Sequence, residues 1–574
     1  MFSNKTRHRK KILVSALTVL LVLVVLMGKL GYIMIFQSEY YLARADLLHE
    51  RERSIKASRG NILDTNGVVL ASNKTVCTIS VIYSQVKDPE KVIAMLSSEL
   101  GISEDDVRKR VEKVTSIERI KTNVDKTVGD KIRNYCLAGV KVDEDYKRYY
   151  PFDTLASKVL GFTGSDNQGI VGLEVKYEDY LAGQNGMILT LTDASGVELD
   201  GAEESRLEPI AGKNIYTSID YNVQLYAQQL AIKALEEKQA KSVSIIVMNP
   251  KNGEILAMVN VPEYNLNDPY TLNYDLVDNV TGEAYQDLLN NMWRSFCIND
   301  TYEPGSTFKM ITGTAALESG AVSLASTYTC TGSTTVEDRR IRCAKTTGHG
   351  AQTFAQTVMN SCNPAFVEWG LRTGVDNFYL YLSKLGITSK TGVDLPGEAS
   401  SILHKKENVG PVELATMSFG QSFQITPLQL LRATSAIING GTLITPHFAV
   451  KAVDATGNNA EVFHYQTIEN AIEKSTSDTM KEILKQVVEQ GGGINAYMEN
   501  YSIGGKTATS EKLPRGNGKY ISSFIGFVPA EDPQLVAMCI IDEPVGVYYG
   551  GTISAPVIKQ LFENILPYLN IPTR

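Results

Sequence analysis

A surplus of positive charge, a second long apolar run, internal repeats and low-complexity tracts are all missing from these 574 residues. The first absence argues against nucleic-acid binding: 56 Lys and Arg stand against 64 Asp and Glu, and without the five basic residues of the first eleven the remaining 51 leave a balance of −13. The second limits the chain to one membrane crossing, and the third excludes a solenoid or a rod. Glycine (45) and proline (19) are too few and too scattered for collagen or a flexible linker chain, while 43% hydrophobic and 21% charged residues suit a globular body. At about 150 residues per domain the length predicts three to four structural units.

One apolar run is present. Residues Ile12 to Gly28 carry no charge, and the apolar character continues past Lys29 through Leu30, Tyr32, Ile33, Met34, Ile35 and Phe36. A helix of about 20 residues crosses a bilayer, and Lys29, Tyr32 and Phe36 suit its outer interface. The run is long for a cleavable signal sequence and no small-x-small cleavage site follows it, so an uncleaved anchor is expected. Lys5, Arg7, Arg9, Lys10 and Lys11 all precede the run, which predicts a cytoplasmic N-terminus and an extracytoplasmic body in a single-pass membrane protein.

Beyond the anchor, residues 38–58 read as a helical stalk. Asp64 to Gly67 is a turn between short strands, with Asn66-Gly67 as the hairpin signal. Residues 86–135 are charged and helical in character, and 145–220 alternate Gly-rich turns with short strands. Asp220 is placed to cap a helix whose apolar face is Val223, Ala227, Leu230, Ala231 and Ala234. Strands at Val243 to Met248 and Ile255 to Val261 then open a new sheet. These patterns predict an α+β chain in three parts: residues 1–36 as cytoplasmic tail and transmembrane anchor, 37–238 as a non-catalytic extracytoplasmic pedestal, and 239–574 as the catalytic domain.

The chemistry is concentrated in that last part. In Tyr302-Glu303-Pro304-Gly305-Ser306-Thr307-Phe308-Lys309 a Pro-Gly turn delivers Ser306 to a helix N-terminus, where unpaired amides and the dipole favour developing negative charge. Lys309 lies one turn on along the same face and becomes a base if burial lowers its pKa. Alone, S-x-x-K is weak. Ser361-Cys362-Asn363 follows 55 residues after Ser306, and Gly505-Lys506-Thr507-Ala508-Thr509 begins a strand around Lys506, 200 residues after it. The order Ser-x-x-Lys, Ser-x-Asn, Lys-Thr-(Gly/Ala) is that of serine transpeptidases and β-lactamases.

With these motifs the chain resembles a class B penicillin-binding protein, a membrane-anchored, monofunctional peptidoglycan D,D-transpeptidase. The resemblance also takes in Ser58-Arg59-Gly60-Asn61-Ile62-Leu63-Asp64, Arg148-Tyr149-Tyr150-Pro151, Gly172-Leu173-Glu174, Leu181-Ala182-Gly183, Ile219-Asp220, Phe419-Gly420-Gln421-Ser422 and Thr426-Pro427-Leu428-Gln429. A short pedestal and no long segment after the Lys-Thr-Ala strand suggest the division and sporulation branch. The resemblance implies a pedestal of the dimerisation type and a transpeptidase domain built on an antiparallel sheet covered by helices. It implies Ser306 as nucleophile, Lys309 as base, Ser361 as proton relay, Asn363 as a substrate hydrogen-bonder, and Lys506 with Thr507 as the carboxylate clamp. The backbone N–H groups of Ser306 and Thr509 would form the oxyanion hole. Stem peptides and β-lactams are the implied ligands, with membrane lipid around the anchor, a SEDS-type glycosyltransferase and other wall-synthesis proteins as partners, and D,D-carboxypeptidation as a side reaction. The family usually has Gly where Ala508 stands, and the added methyl bears on β-lactam affinity more than on catalysis. A catalytically weak scaffold that activates a glycosyltransferase and a β-lactam sensor or β-lactamase are the competing classes. A complete set of motif residues opposes the first, and the lack of a second motif to supply a deacylating base opposes the second.

Of the seven cysteines, Cys330, Cys343 and Cys362 combine with His349 as C-x12-C-x5-H-x12-C, donor types that tetrahedral zinc prefers. A Cys330–Cys343 disulfide and reduced, simply packed thiols are the alternatives. The resemblance adds weight to a structural zinc, because some class B relatives carry a metal site that includes the middle residue of the Ser-x-Asn motif, here Cys362. Asp338 and Cys297 are reserve ligands. Acyl transfer itself requires no cofactor.

Overall fold

The apolar run forms one helix, α1 (Ser3–Phe36). Within it, Arg9–Phe36 is long and apolar enough to cross a membrane, its most apolar 18 residues having a mean hydropathy of 2.6. The computed structural model describes residues 3–40, 50–115, 117–191, 205–274 and 280–574. The expected helical stalk is corrected in part. Residues 38–40 are helical and 41–49 lie outside the described residues, but Glu50–Ile55 is a strand, antiparallel to Gly186–Leu191. A segment reading Glu-Arg-Glu-Arg has no apolar periodicity of its own, so the apolar partner strand decides its conformation.

Two compact units divide the chain. The first comprises residues 1–57, 75–147 and 184–210. In it the helices Pro89–Leu100, Glu104–Val111 and Lys126–Asn134 pack with antiparallel strands around Cys77, Ile79, Leu96, Val107 and Ile120. The helical reading of 86–135 is interrupted by the strand Glu118–Asp125, whose Ile120 and Val124 are its buried positions.

The second unit comprises residues 58–74, 148–183 and 211–574. Its centre is an antiparallel sheet of β1 (Ser242–Met248), β2 (Ile255–Val261), β3 (Gly504–Glu511), β4 (Tyr520–Val528) and β5 (Leu535–Asp542), in the order β2-β1-β5-β4-β3. Apolar residues run almost without a break along β1 because both of its faces are covered. Val243, Ile245 and Val247 join the layer under α2 (Tyr221–Lys238) and α7 (Ala555–Tyr568), while Ile246 and Met248 join the layer formed with α3 (Lys309–Glu318), α4 (Asn363–Lys384), α5 (Pro427–Ile438) and α6 (Lys474–Gln490). Asp220 caps α2 by accepting from the N–H groups of Asn222 and Val223 at 2.9 and 3.1 Å.

Three of the sequence segments singled out above meet inside this unit. The Nε atoms of Arg59 and Arg148 each lie 2.6 Å from one oxygen of Glu174, all three side chains are buried, and Tyr150 donates to the same carboxylate at 3.3 Å. Two guanidinium groups and one carboxylate thus tie residues 58–60 and 148–150 to the helix Gly172–Lys176.

Candidate active site

Pro304 and Gly305 lead into a 3-10 turn, Gly305–Phe308, which continues as α3. Gly305 has φ +58, and a Cβ there would stand 2.3 Å from the Ser510 hydroxyl of β3, so only glycine lets the turn approach the strand. The Gly305 N–H donates to the Gly420 carbonyl at 2.9 Å and the Thr307 hydroxyl to that of Pro304 at 2.7 Å. Ser306 is therefore held half-buried on a turn braced from two sides.

Helix α3 lies within the core, and Lys309 goes in with it. Its Nζ donates to the Ser361 carbonyl at 2.7 Å, the Asn363 Oδ1 at 2.7 Å and the Ser361 Oγ at 3.1 Å, and it lies 5.4 Å from the Phe366 ring centre. Ser361 takes a left-handed backbone conformation, φ +51, a strained choice for a side chain with a Cβ and one characteristic of functional sites. Lys506 Nζ, equally buried, reaches the same Ser361 Oγ at 3.0 Å and the Thr507 carbonyl at 3.1 Å. One hydroxyl thus sits between two lysine amines, with no carboxylate bonded to either among the described residues. Burial, with Lys506 nearby, pushes the Lys309 pKa far below the usual lysine range; burial alone brings Lys506 down to about 7.

Strand β3 is an edge strand, so every second N–H and C=O along it is left free by the sheet. Lys506, Ala508 and Ser510 alternate on its buried face; Thr507, Thr509 and Glu511 are half-buried on the other. The Ala508 methyl lies 3.6 Å from where a Cβ on Gly305 would stand. It therefore packs toward the nucleophile turn. The Thr509 hydroxyl accepts from the Gly550 N–H at 3.0 Å.

Beside this web the four predicted metal ligands meet. The strand Thr327–Cys330 pairs with Gly350–Thr353, putting Cys330 opposite Gly350 and next to His349. The hairpin of Ser333–Val336 and Arg339–Arg342 returns the chain to Cys343. Their ligand atoms lie within 4.8 Å of one another, with Cys343 Sγ 3.5 Å from His349 Nδ1 and 4.0 Å from Cys362 Sγ. All seven cysteines are free, which leaves the proposed Cys330–Cys343 bridge unmade. The hydrogen bond shared with Cys362 pulls the Cys343 thiol down to about 5 and pushes Cys362 up, so a thiolate is favoured at Cys343. Three buried sulfurs and an imidazole at this spacing fit thiolate–metal bonds of about 2.3 Å in a tetrahedron, whose edges are about 3.8 Å. The cluster could hold a metal ion. The reserve ligands do not reach it: Cys297 is buried with its thiol toward the Val259 carbonyl, and Asp338 is exposed beside Arg339.

Sequence reasoning missed Glu303. Almost fully buried, it accepts from the Ser422 N–H at 2.8 Å and pairs with Arg515 of the β3–β4 connection, tying the approach to Ser306 to two further segments. Its position next to Pro304-Gly305 was the only signal available.

Residues 243–563 match the family described as the penicillin binding protein transpeptidase domain, and residues 54–217 match the penicillin-binding protein dimerisation domain. Stage V sporulation protein D of Bacillus subtilis (strain 168) is 38% identical over 575 residues, covering 99% of this chain and 87% of that one. Peptidoglycan D,D-transpeptidase FtsI of Escherichia coli (strain K12) is 27% identical over 569 residues, covering 96% and 91%. Penicillin Binding Protein 2X from Streptococcus thermophilus has the same fold, with a TM-score of 0.74 over 90% of this chain and 80% of that one at 24% identity. With a dimerisation domain before a transpeptidase domain and relatives from division and sporulation, this chain belongs to the class B penicillin-binding proteins, the serine peptidoglycan D,D-transpeptidases.

Proposed function

We propose that Ser306 is the nucleophile of this transpeptidase and Lys309 its general base. The observation that carries the assignment is the buried Lys309 ammonium position, held by Ser361 and Asn363 with no acidic partner, where the neutral amine is favoured. The Ser306 oxygen bonds to the carbonyl carbon of the penultimate D-Ala of a pentapeptide stem as its proton passes to Lys309. The peptide C–N bond then breaks, Ser361 relays a proton to the departing amine, and D-Ala leaves. A neighbouring stem's amine attacks the acyl-enzyme, forms the cross-link and frees Ser306. Asn363 orients the donor peptide along the free edge of β3. Lys506 and Thr507 hold its carboxylate, and the N–H groups of Ser306 and Thr509 receive the oxyanion.

Zinc is the metal proposed for Cys330, Cys343, His349 and Cys362. When bound, it supplies structural fixing of the loop between Ser361 and Asn363, and the acyl-transfer steps use only side chains and backbone. Residues 1–36 form a tail and anchor with the N-terminus inside the cell, 37–238 a pedestal, and 239–574 the catalytic domain outside. A membrane glycosyltransferase of the SEDS type is the proposed partner. The catalytic assignment is tested by labelling the protein with a fluorescent penicillin and mapping the adduct by mass spectrometry. Ser306 should carry it and Ser306→Ala should carry none; an adduct on another residue would overturn the assignment.

A further inference from the structure

A cleft of about 460 Å³ opens beside the last turn of α4, between residues 386–392, α5 and the short paired strands Leu443–Ile444 and Thr467–Ile468. Its walls include Arg432, Lys390 and His464 together with Ser383, Ser389 and Thr391, and they contain no Asp or Glu. Arg432 is 6% exposed, yet it makes no ion pair among the described residues. Its Nε donates to the Ile444 carbonyl at 2.9 Å, while its two Nη groups donate to no protein atom and are not sealed from the cleft. Among the described residues Glu398 is the carboxylate that acts on it, but the Glu398 oxygens already accept from the N–H groups of Thr391 and Gly392 at 2.6 and 3.2 Å. Lys390, exposed in the same wall, has no polar partner among the described residues either.

A desolvated guanidinium without an anion is costly, and its two open Nη groups form a fork suited to two oxygens of one ligand. We propose that this cleft is an anion site that takes a phosphate group. A planar carboxylate would occupy the Arg432 fork and leave Lys390 and the surrounding hydroxyls unused. A tetrahedral dianion has oxygens for all of them and matches the buried Arg432 charge together with the exposed Lys390 charge. The volume exceeds what one phosphate fills, so the group arrives as a phosphomonoester on a larger molecule or as free phosphate in a hydrated cleft. None of the residues invoked belongs to the acyl-transfer site, and the proposal does not depend on that reading.

Isothermal titration of the detergent-solubilised full chain at constant ionic strength tests it, with inorganic phosphate and glycerol 3-phosphate as probes and succinate as the carboxylate control. One phosphate site is expected, weakened at least about tenfold by Arg432→Gln and several-fold by Lys390→Ala. Tighter binding of glycerol 3-phosphate identifies an ester as the ligand, and equal binding identifies free phosphate. Labelling with a fluorescent penicillin confirms that each variant is folded; if Arg432→Gln is not, the exposed Lys390→Ala decides. No phosphate binding, binding unchanged by Lys390→Ala and Arg432→Gln, or a preference for succinate would each overturn the proposal.

Discussion

Two lysines share one hydroxyl, and in the proposed mechanism they have opposite duties, so that their charge states set the pH behaviour of the site. Lys309 must be neutral to accept the Ser306 proton, so the acylation rate constant should fall as pH drops through its depressed pKa. Lys506 must be charged to hold a carboxylate and in the free site titrates near about 7, so binding of carboxylate-bearing β-lactams should weaken as pH rises beyond that value. Stopped-flow acylation resolved into rate and binding constants should show the two limbs in different constants; a single limb in both would contradict the assignment. Lys309→Ala should lose acylation by at least about 100-fold while keeping its fold. Ala508 belongs to the same scale. Because its methyl faces the Gly305 turn, Ala508→Gly should change β-lactam affinity by less than about tenfold, and a larger gain would mean that the methyl obstructs the ligand.

At the scale of elements, two small hairpins gather Cys330, Cys343 and His349 around the loop that also holds Cys362. Metal removal should therefore lower the melting temperature and slow acylation together, and Cys343→Ser or His349→Ala should do the same. Elemental analysis and a free-thiol count on protein purified without added metal check this. Zinc below about a tenth of an equivalent would exclude the proposed metal. The strand Glu50–Ile55 teaches a complementary lesson. Its alternating charges carry no period that separates helix from strand, and its conformation goes with the antiparallel pairing to Gly186–Leu191. By contrast α2 was legible from its cap and its 3.6-residue apolar face, because both are local.

For the molecule as a whole, stability and placement give separate expectations. Glu174 joins Arg59 and Arg148, which lie 115 and 26 residues away in sequence, in a buried cluster; Arg59 keeps Glu178 at 2.7 Å, so Glu174→Gln strands the Arg148 guanidinium. The expected loss is about 3–5 kcal/mol in denaturant unfolding, and a loss under about 1 kcal/mol would show that the cluster does not hold the unit together. The charge asymmetry around α1 predicts a body outside the cell. Protease added to spheroplasts should digest the chain from about residue 38 onward and spare the tail and anchor, whereas full protection would contradict that orientation.

The sequence by itself determined the long apolar helix α1, the cap of α2, the strand pair opening the main sheet and the order of the Ser306, Ser361 and Lys506 motifs. Each is written in neighbouring residues, as a period, a turn or a spacing that the backbone must obey. Only the tertiary structure decided that Lys309 and Lys506, 52 and 145 residues from Ser361, converge on its one hydroxyl. It alone separated Cys297 and Asp338 from the cysteine–histidine cluster, made Glu303 a brace and left the Arg432 guanidinium without an ion pair among the described residues. Burial and charge pairing depend on distant segments packing together, and a side chain's pKa follows from what surrounds it in space.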